Sequence, residues 1–282
     1  MEYCEKMSKY DRKEDIKPLT LESWNGIIDS EMDIKDILKK IEEENNIEIL
    51  YAPLIGSRIY GYSNKNSDYN VRFIYKPVIE EYMRVCHKNM SIRKKVYKYD
   101  VLGWDVRKAL NQHYQSNPSL YEWTETPVKY VKDKIRFNEL MPYDKNVLLK
   151  RFYQIAQHNF NKGHNELPYK LSLQNIKEYL YSIRYILMWD VLYYDDEYPP
   201  ITLKKLLYLN NWLDDDVVDF ILFFMQTYKE QSYDELSYHE LANMNSWISN
   251  SLRIMRNTYP LRSPKRRDCY YYNSKFLEIM GF

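Results

Sequence analysis

The deciding stretch reads Gly56-Ser57-Arg58-Ile59-Tyr60-Gly61 and continues, past residues 62–66, as Ser67-Asp68-Tyr69-Asn70-Val71-Arg72. Residues 47–55 (IEILYAPLI), just before it, are apolar and β-branched and predict a buried strand. Gly56-Ser57 turns the chain, and residues 63–67 (SNKNS) carry polar turn chemistry. Residues 69–75 (YNVRFIY) predict a second strand, ended by Pro77. Side chains two apart on a strand share a face, so Asp68 and Asn70 are expected to point together, toward the strand end that delivers Gly56 and Ser57. Backbone N–H groups of a Gly-Ser turn suit phosphate oxygens. Acidic side chains beside them suit a Mg²⁺ that bridges those phosphates.

Outward from this stretch, residues 32–45 place Ile34, Ile37, Leu38 and Ile41 at helical steps. Residues 94–102 (KKVYKYDVL) alternate and predict a third strand broken by Gly103; residues 106–115 predict a helix ending at Asn117-Pro118. From about residue 140 the pattern is helical throughout, over 145–161, 174–192, 203–212, 214–231 and 238–257. The expected class is α+β: an arm over residues 1–31, a small αβ domain over 32–140, and a helical domain over 141–282.

Composition narrows the functional classes. The 282 residues carry 41 Lys+Arg against 40 Asp+Glu, which removes the global basic excess of a protein that coats nucleic acid nonspecifically. A chain that is 45% hydrophobic with only 6 Gly is neither disordered nor collagen-like. The apolar run 217–225 is interrupted by Asp219 and is shorter than the ~20 residues a bilayer requires, so no membrane association is expected. The first residues lack the order of a signal peptide, and Cys4, Cys86 and Cys269 show neither metal spacing nor a disulfide framework. A cytoplasmic, reducing environment is expected. The five histidines show no metal spacing, and the 30 tyrosines serve as core residues or as rings for base stacking.

The deciding stretch resembles the DNA polymerase β-like nucleotidyltransferases, whose signature is Gly-Ser, a gap of about ten residues and Asp-x-Asp. More narrowly it is similar to their RNA-repair-associated branch, with G-S-R-x-x-G, S-D-Y-D-V-R-F-I-Y and a later D-x-x-G-W-D-x-R-K-A-L…S-N-P-x-L-x-E-W. Here the later block reads Asp100-Val101-Leu102-Gly103-Trp104-Asp105-Val106-Arg107-Lys108-Ala109-Leu110, then Ser116-Asn117-Pro118-Ser119-Leu120-Tyr121-Glu122-Trp123. Lys177-Glu178-Tyr179-Leu180-Tyr181-Ser182-Ile183-Arg184 matches the branch's K-x-Y-L-Y-x-x-R. The likeness spans about residues 33 to 280.

The resemblance implies a metal-dependent transfer of a nucleoside monophosphate from a nucleoside triphosphate to an RNA 3′ end, with tRNA as a candidate acceptor and Mg²⁺ (or Mn²⁺) as cofactor. Asp68, Asn70 and a third carboxylate, Asp100 or Asp105, would hold the metals. Gly56, Ser57, Arg58, Ser67 and Arg72 would hold the nucleotide, joined by Lys177 and Arg184 on one helix face. Asn70 stands where the family has its second aspartate, and an amide brings no charge to two divalent ions. Both an amide placed there to trap a complex and a naturally weakened relative fit this departure. Asp100 and Asp105, five apart, face opposite sides of one strand; Asp100 lies within the alternation and is the preferred third carboxylate, while Asp105 suits a helix N-cap. The competing readings are transfer to a protein hydroxyl and a nucleotide- or RNA-binding pseudoenzyme. The basic stretch 262–267 (RSPKRR) is a candidate RNA contact.

Overall fold

The computed structural model describes residues 33–85, 90–165, 167, 171–231, 237–258 and 268–282. The expected arm over 1–31 and the basic stretch 262–267 lie outside the described residues. The described residues form two compact units, one drawn from residues 33–59, 67–148 and 268–282, the other from residues 60–66 and 149–258.

The sheet unit opens with α1 (Ile34–Asn45), whose first turn is capped by the Asp33 carboxylate and whose buried face is Ile34, Ile37, Leu38 and Ile41. Asn46, left-handed at φ 51°, ends it. Five strands follow: β1 (Ile47–Ile55), β2 (Tyr69–Pro77), β3 (Ser91–Val96), β4 (Tyr99–Asp105) and β5 (Lys129–Val131), in the spatial order β3-β4-β2-β1-β5. The β2–β4 pair is parallel; the β1–β2, β3–β4 and β1–β5 pairs are antiparallel. A single helical turn, α2 (Ser57–Tyr60), leaves β1.

The one strand expected over 94–102 is a hairpin. Val96 pairs with Tyr99, leaving Tyr97 and Lys98 as the turn, with Tyr97 left-handed at φ 50°. No Gly, Asn or Asp marks that turn. Gly103 does not break β4 but lies inside it, where an added Cβ would fall 2.2 Å from the Phe73 ring. Hydrogen there lets β2 and β4 close over a ring that has no exposure.

Asp105 caps α3 (Val106–Tyr114), and Asn117 caps α4 (Pro118–Glu125), which has Pro at its start. Sequence reading did not resolve α4 as a helix. Leu50, Ile74, Ala109, Leu110, Leu120 and Trp123 form the core between sheet and helices. Tyr272, from a helix at the chain's end (Cys269–Met280), is buried in the same core. Residues 268–282 therefore pack with the sheet unit, not with the helical domain expected over 141–282. The Tyr272 hydroxyl lies 2.8 Å from Nδ1 of His113.

In the helical unit α5 (Lys145–Gly163) contributes its residues from Leu149 onward. Ser172 and Asn175 form a reciprocal cap that starts α6 (Leu173–Asp190). That helix passes into a π turn, Val191–Asp195, then α7 (Leu203–Leu209), α8 (Asp215–Glu230) and α9 (Tyr238–Thr258). With Cys269–Met280 as α10, the helices match the expected segments except for α2, α4 and α10, which the apolar spacing did not announce. Tyr179 donates to Asn245 at 2.6 Å and Ser182 to the Ala156 carbonyl at 2.9 Å, so α6 is tied to both α9 and α5. Among the described residues no helix is long and apolar enough to cross a membrane.

Candidate active site

Strand register brings the motif residues into one row. Ile55 pairs with Asn70 across β1 and β2, Asn70 with Asp100 across β2 and β4, and Asp100 with Lys95 across β4 and β3. Paired residues on adjacent strands point to the same face, so Asn70, Asp100 and Lys95 stand side by side at spacings of about 5 Å. Alternation then puts Arg72 on this face and the buried Tyr69, Val71, Tyr99 and Val101 on the other.

Gly56 closes the row from β1. It sits at φ 88°, and a Cβ there would come within 2.7 Å of the Asn70 amide nitrogen. The glycine serves both the left-handed turn and the close approach of the Asn70 side chain. Ser57 is buried, and its hydroxyl has no hydrogen-bond partner among the described residues. Arg58 lies over the Tyr69 ring at 3.9 Å and donates to the Ser67 carbonyl at 2.7 Å, which pins the loop back onto its own strand; its Nε is buried without an acceptor.

Each acidic group is matched by a cation. Arg72 donates to the Asn70 carbonyl oxygen at 3.3 Å and to the Asp100 carboxylate at 3.2 Å, and also to the Asp100 backbone carbonyl at 2.8 Å. Arg93 reaches the other Asp100 oxygen at 3.4 Å. Lys95 pairs with Asp68 at 3.3 Å, with the two side chains 65% and 41% exposed. That surface pair is worth little, whereas the Arg72–Asp100 pair, 13% and 14% exposed, is shielded and stronger. Two carboxylates thus face three cations.

This donor set does not fit a pair of divalent ions. The position between the acids is an amide, both Asp100 oxygens already face guanidinium groups, and the described residues contain no cluster of three His, Cys, Asp or Glu groups suited to a metal.

Asp105 lies elsewhere. It pairs with Tyr75, five residues along β4 and on the opposite face from Asp100. Its carboxylate accepts from the Arg107 backbone N–H at 2.7 Å and from the Tyr82 hydroxyl at 2.9 Å on each oxygen. Burial raises its pKa against these bonds, and a separate pocket of about 270 Å³ lies beside it, lined by Tyr75, Tyr82 and Arg107 among others. The structure does not bring Asp105 to the Asp68–Asn70–Asp100 group.

Arg184 also departs from expectation. It has no exposure, its guanidinium lies 3.8 Å over Tyr60 and 4.5 Å over Tyr185, and it donates to the Ile201 carbonyl at 3.4 Å. Its face of α6 is interior rather than a hand extended to a nucleotide. Lys177, one turn into the same helix, is half-buried. Sequence reading passed over Arg93 and Lys95. Their signal was the i, i+2 spacing of cations on the strand that pairs with Asp100.

Residues 31–277 match the profile of RlaP, described as the RNA repair pathway DNA polymerase beta family. A Bacillus subtilis (strain 168) relative, "Uncharacterized protein YcgL", is 29% identical over 180 residues, covering 62% of this chain and 67% of its own. Among solved structures, a nucleotidyltransferase-like protein from Exiguobacterium sibiricum 255-15 is similar at TM-score 0.36 and 10% identity over 88% of this chain and 87% of that one.

Proposed function

Because the chain belongs to the RNA repair pathway DNA polymerase beta family, we propose that it is a nucleotidyltransferase acting on an RNA 3′ end, and that Asn70 holds this form far below full rate. The family typically uses divalent metals. The observation that carries the reading is the row of Asn70 and Asp100 closed by Gly56, which puts the motif's polar residues on one face beside the turn.

In this reading the turn at Gly56-Ser57 and the Arg72 guanidinium orient the triphosphate of a nucleoside triphosphate. The terminal RNA hydroxyl attacks the α-phosphorus in line. Its oxygen–phosphorus bond forms as the bond to the bridging oxygen breaks, pyrophosphate departs, and the hydroxyl proton passes to Asp100. The engagement of Asp100 by Arg72 and Arg93 favours a second reading, nucleotide binding without turnover.

Incubation with each α-³²P-labelled nucleoside triphosphate and tRNA tests the reading, using the unaltered chain and Asn70→Asp. Restoring the charge is expected to raise label transfer to RNA by about 10²–10³. Label on protein in place of RNA moves the acceptor to a protein hydroxyl. No label on any acceptor with either form overturns transfer and leaves binding alone.

A further inference from the structure

We infer that this chain grips the triphosphate with side-chain cations and needs no divalent ion to bind it. The inference rests on the nucleotide reading above and concerns what holds the phosphates. Arg72, Arg93 and Lys95 surround two carboxylates, so the row carries a surplus positive charge that an incoming polyanion neutralises.

The three cations differ in reach. Arg72 is anchored by the Asp100 backbone carbonyl and acts from the floor of the row. Arg93 and Lys95 come from β3, which among the described residues pairs only with β4 and forms an edge of the sheet, and their side chains are 74% and 65% exposed. They can exchange a carboxylate for phosphate oxygens without any backbone movement, the guanidinium in bidentate fashion.

Asn70 makes the exchange possible. With aspartate at that position three acids would face three cations, and the triphosphate would meet like charge across the row unless a divalent ion intervened. The amide removes that charge while keeping the side-chain shape against which Gly56 packs. The substitution that starves a two-metal site therefore produces an anion site.

The test is a titration of the full chain with trinitrophenyl-ATP, in EDTA and in excess MgCl₂, followed by fluorescence. The unaltered chain is expected to bind in both, with dissociation constants within about threefold of each other. Asn70→Asp is expected to weaken by about tenfold in EDTA and to recover with Mg²⁺. Arg93→Ala and Lys95→Ala should each weaken binding in EDTA by about three- to tenfold and, being exposed, leave the melting transition in place. Binding by the unaltered chain only with Mg²⁺ overturns the inference and leaves the nucleotide reading standing. Binding in EDTA that ignores both β3 variants overturns the assignment to these residues. Binding in neither condition overturns the nucleotide reading itself.

Discussion

Asp100 and Asp105 belong to one strand, yet alternation and register give them separate duties. Asp100 stands beside Asn70 under two guanidinium groups, and Asp105 holds the first turn of α3 on the far face. In the Asn70→Asp background, Asp100→Ala is expected to cut label transfer by about 10² or more, read by the same ³²P assay. Asp105→Ala should instead cost about 1–2 kcal/mol of stability, because the cap is lost and the Tyr82 hydroxyl loses its acceptor; urea unfolding measures it. Gly103 offers a second test at this scale. Gly103→Ala drives a methyl into the Phe73 ring and should cost about 2–4 kcal/mol, with Phe73→Leu recovering part of it in the double variant.

Among the elements, α6 carries a pH dependence. Asp190, at its last turn, is buried without a hydrogen-bond partner among the described residues, and burial alone pushes its pKa from 3.8 up to about 7. The folded chain then holds a proton at this carboxyl that the unfolded chain releases, so the relative contribution of Asp190 to stability is greatest at low pH, falls as pH rises from about 4 to about 7, and is flat above. Asp190→Asn should remove that slope and raise stability near pH 8 by an amount on the order of 2–4 kcal/mol, read from urea unfolding near pH 5 and pH 8. The β3–β4 hairpin shows the opposite relation of element to sequence. Its alternation was legible, but the two-residue turn was not, because Tyr97 takes a left-handed φ that its side chain does not announce.

Over the whole molecule, the chain's order is not the order of its units. Tyr60–Asn66 belong with the helical unit, and the terminal helix α10 packs with the sheet unit. Deleting residues 268–282 removes Tyr272 from the sheet unit's core and with it the 2.8 Å contact of its hydroxyl to Nδ1 of His113. The deletion is expected to destabilise the chain by about 3 kcal/mol or more by urea unfolding. A sheet domain self-sufficient over 32–140 would be indifferent to it.

Local rules read along the chain were enough for the class, the first two strands, the helices α1, α3 and α5 to α9, and the Gly-Ser and Asp-x-Asn pair, because periodicity and turn chemistry act within a few residues. They preferred Asp100 to Asp105 by alternation without the register that separates the two, did not enlist Arg93 and Lys95, and offered to a nucleotide the Arg184 that folding buries. Each of those outcomes depends on which strands pair and in what register, and on which helix face is covered. Such contacts join residues far apart in the chain, and a pattern confined to one segment holds no record of its partner.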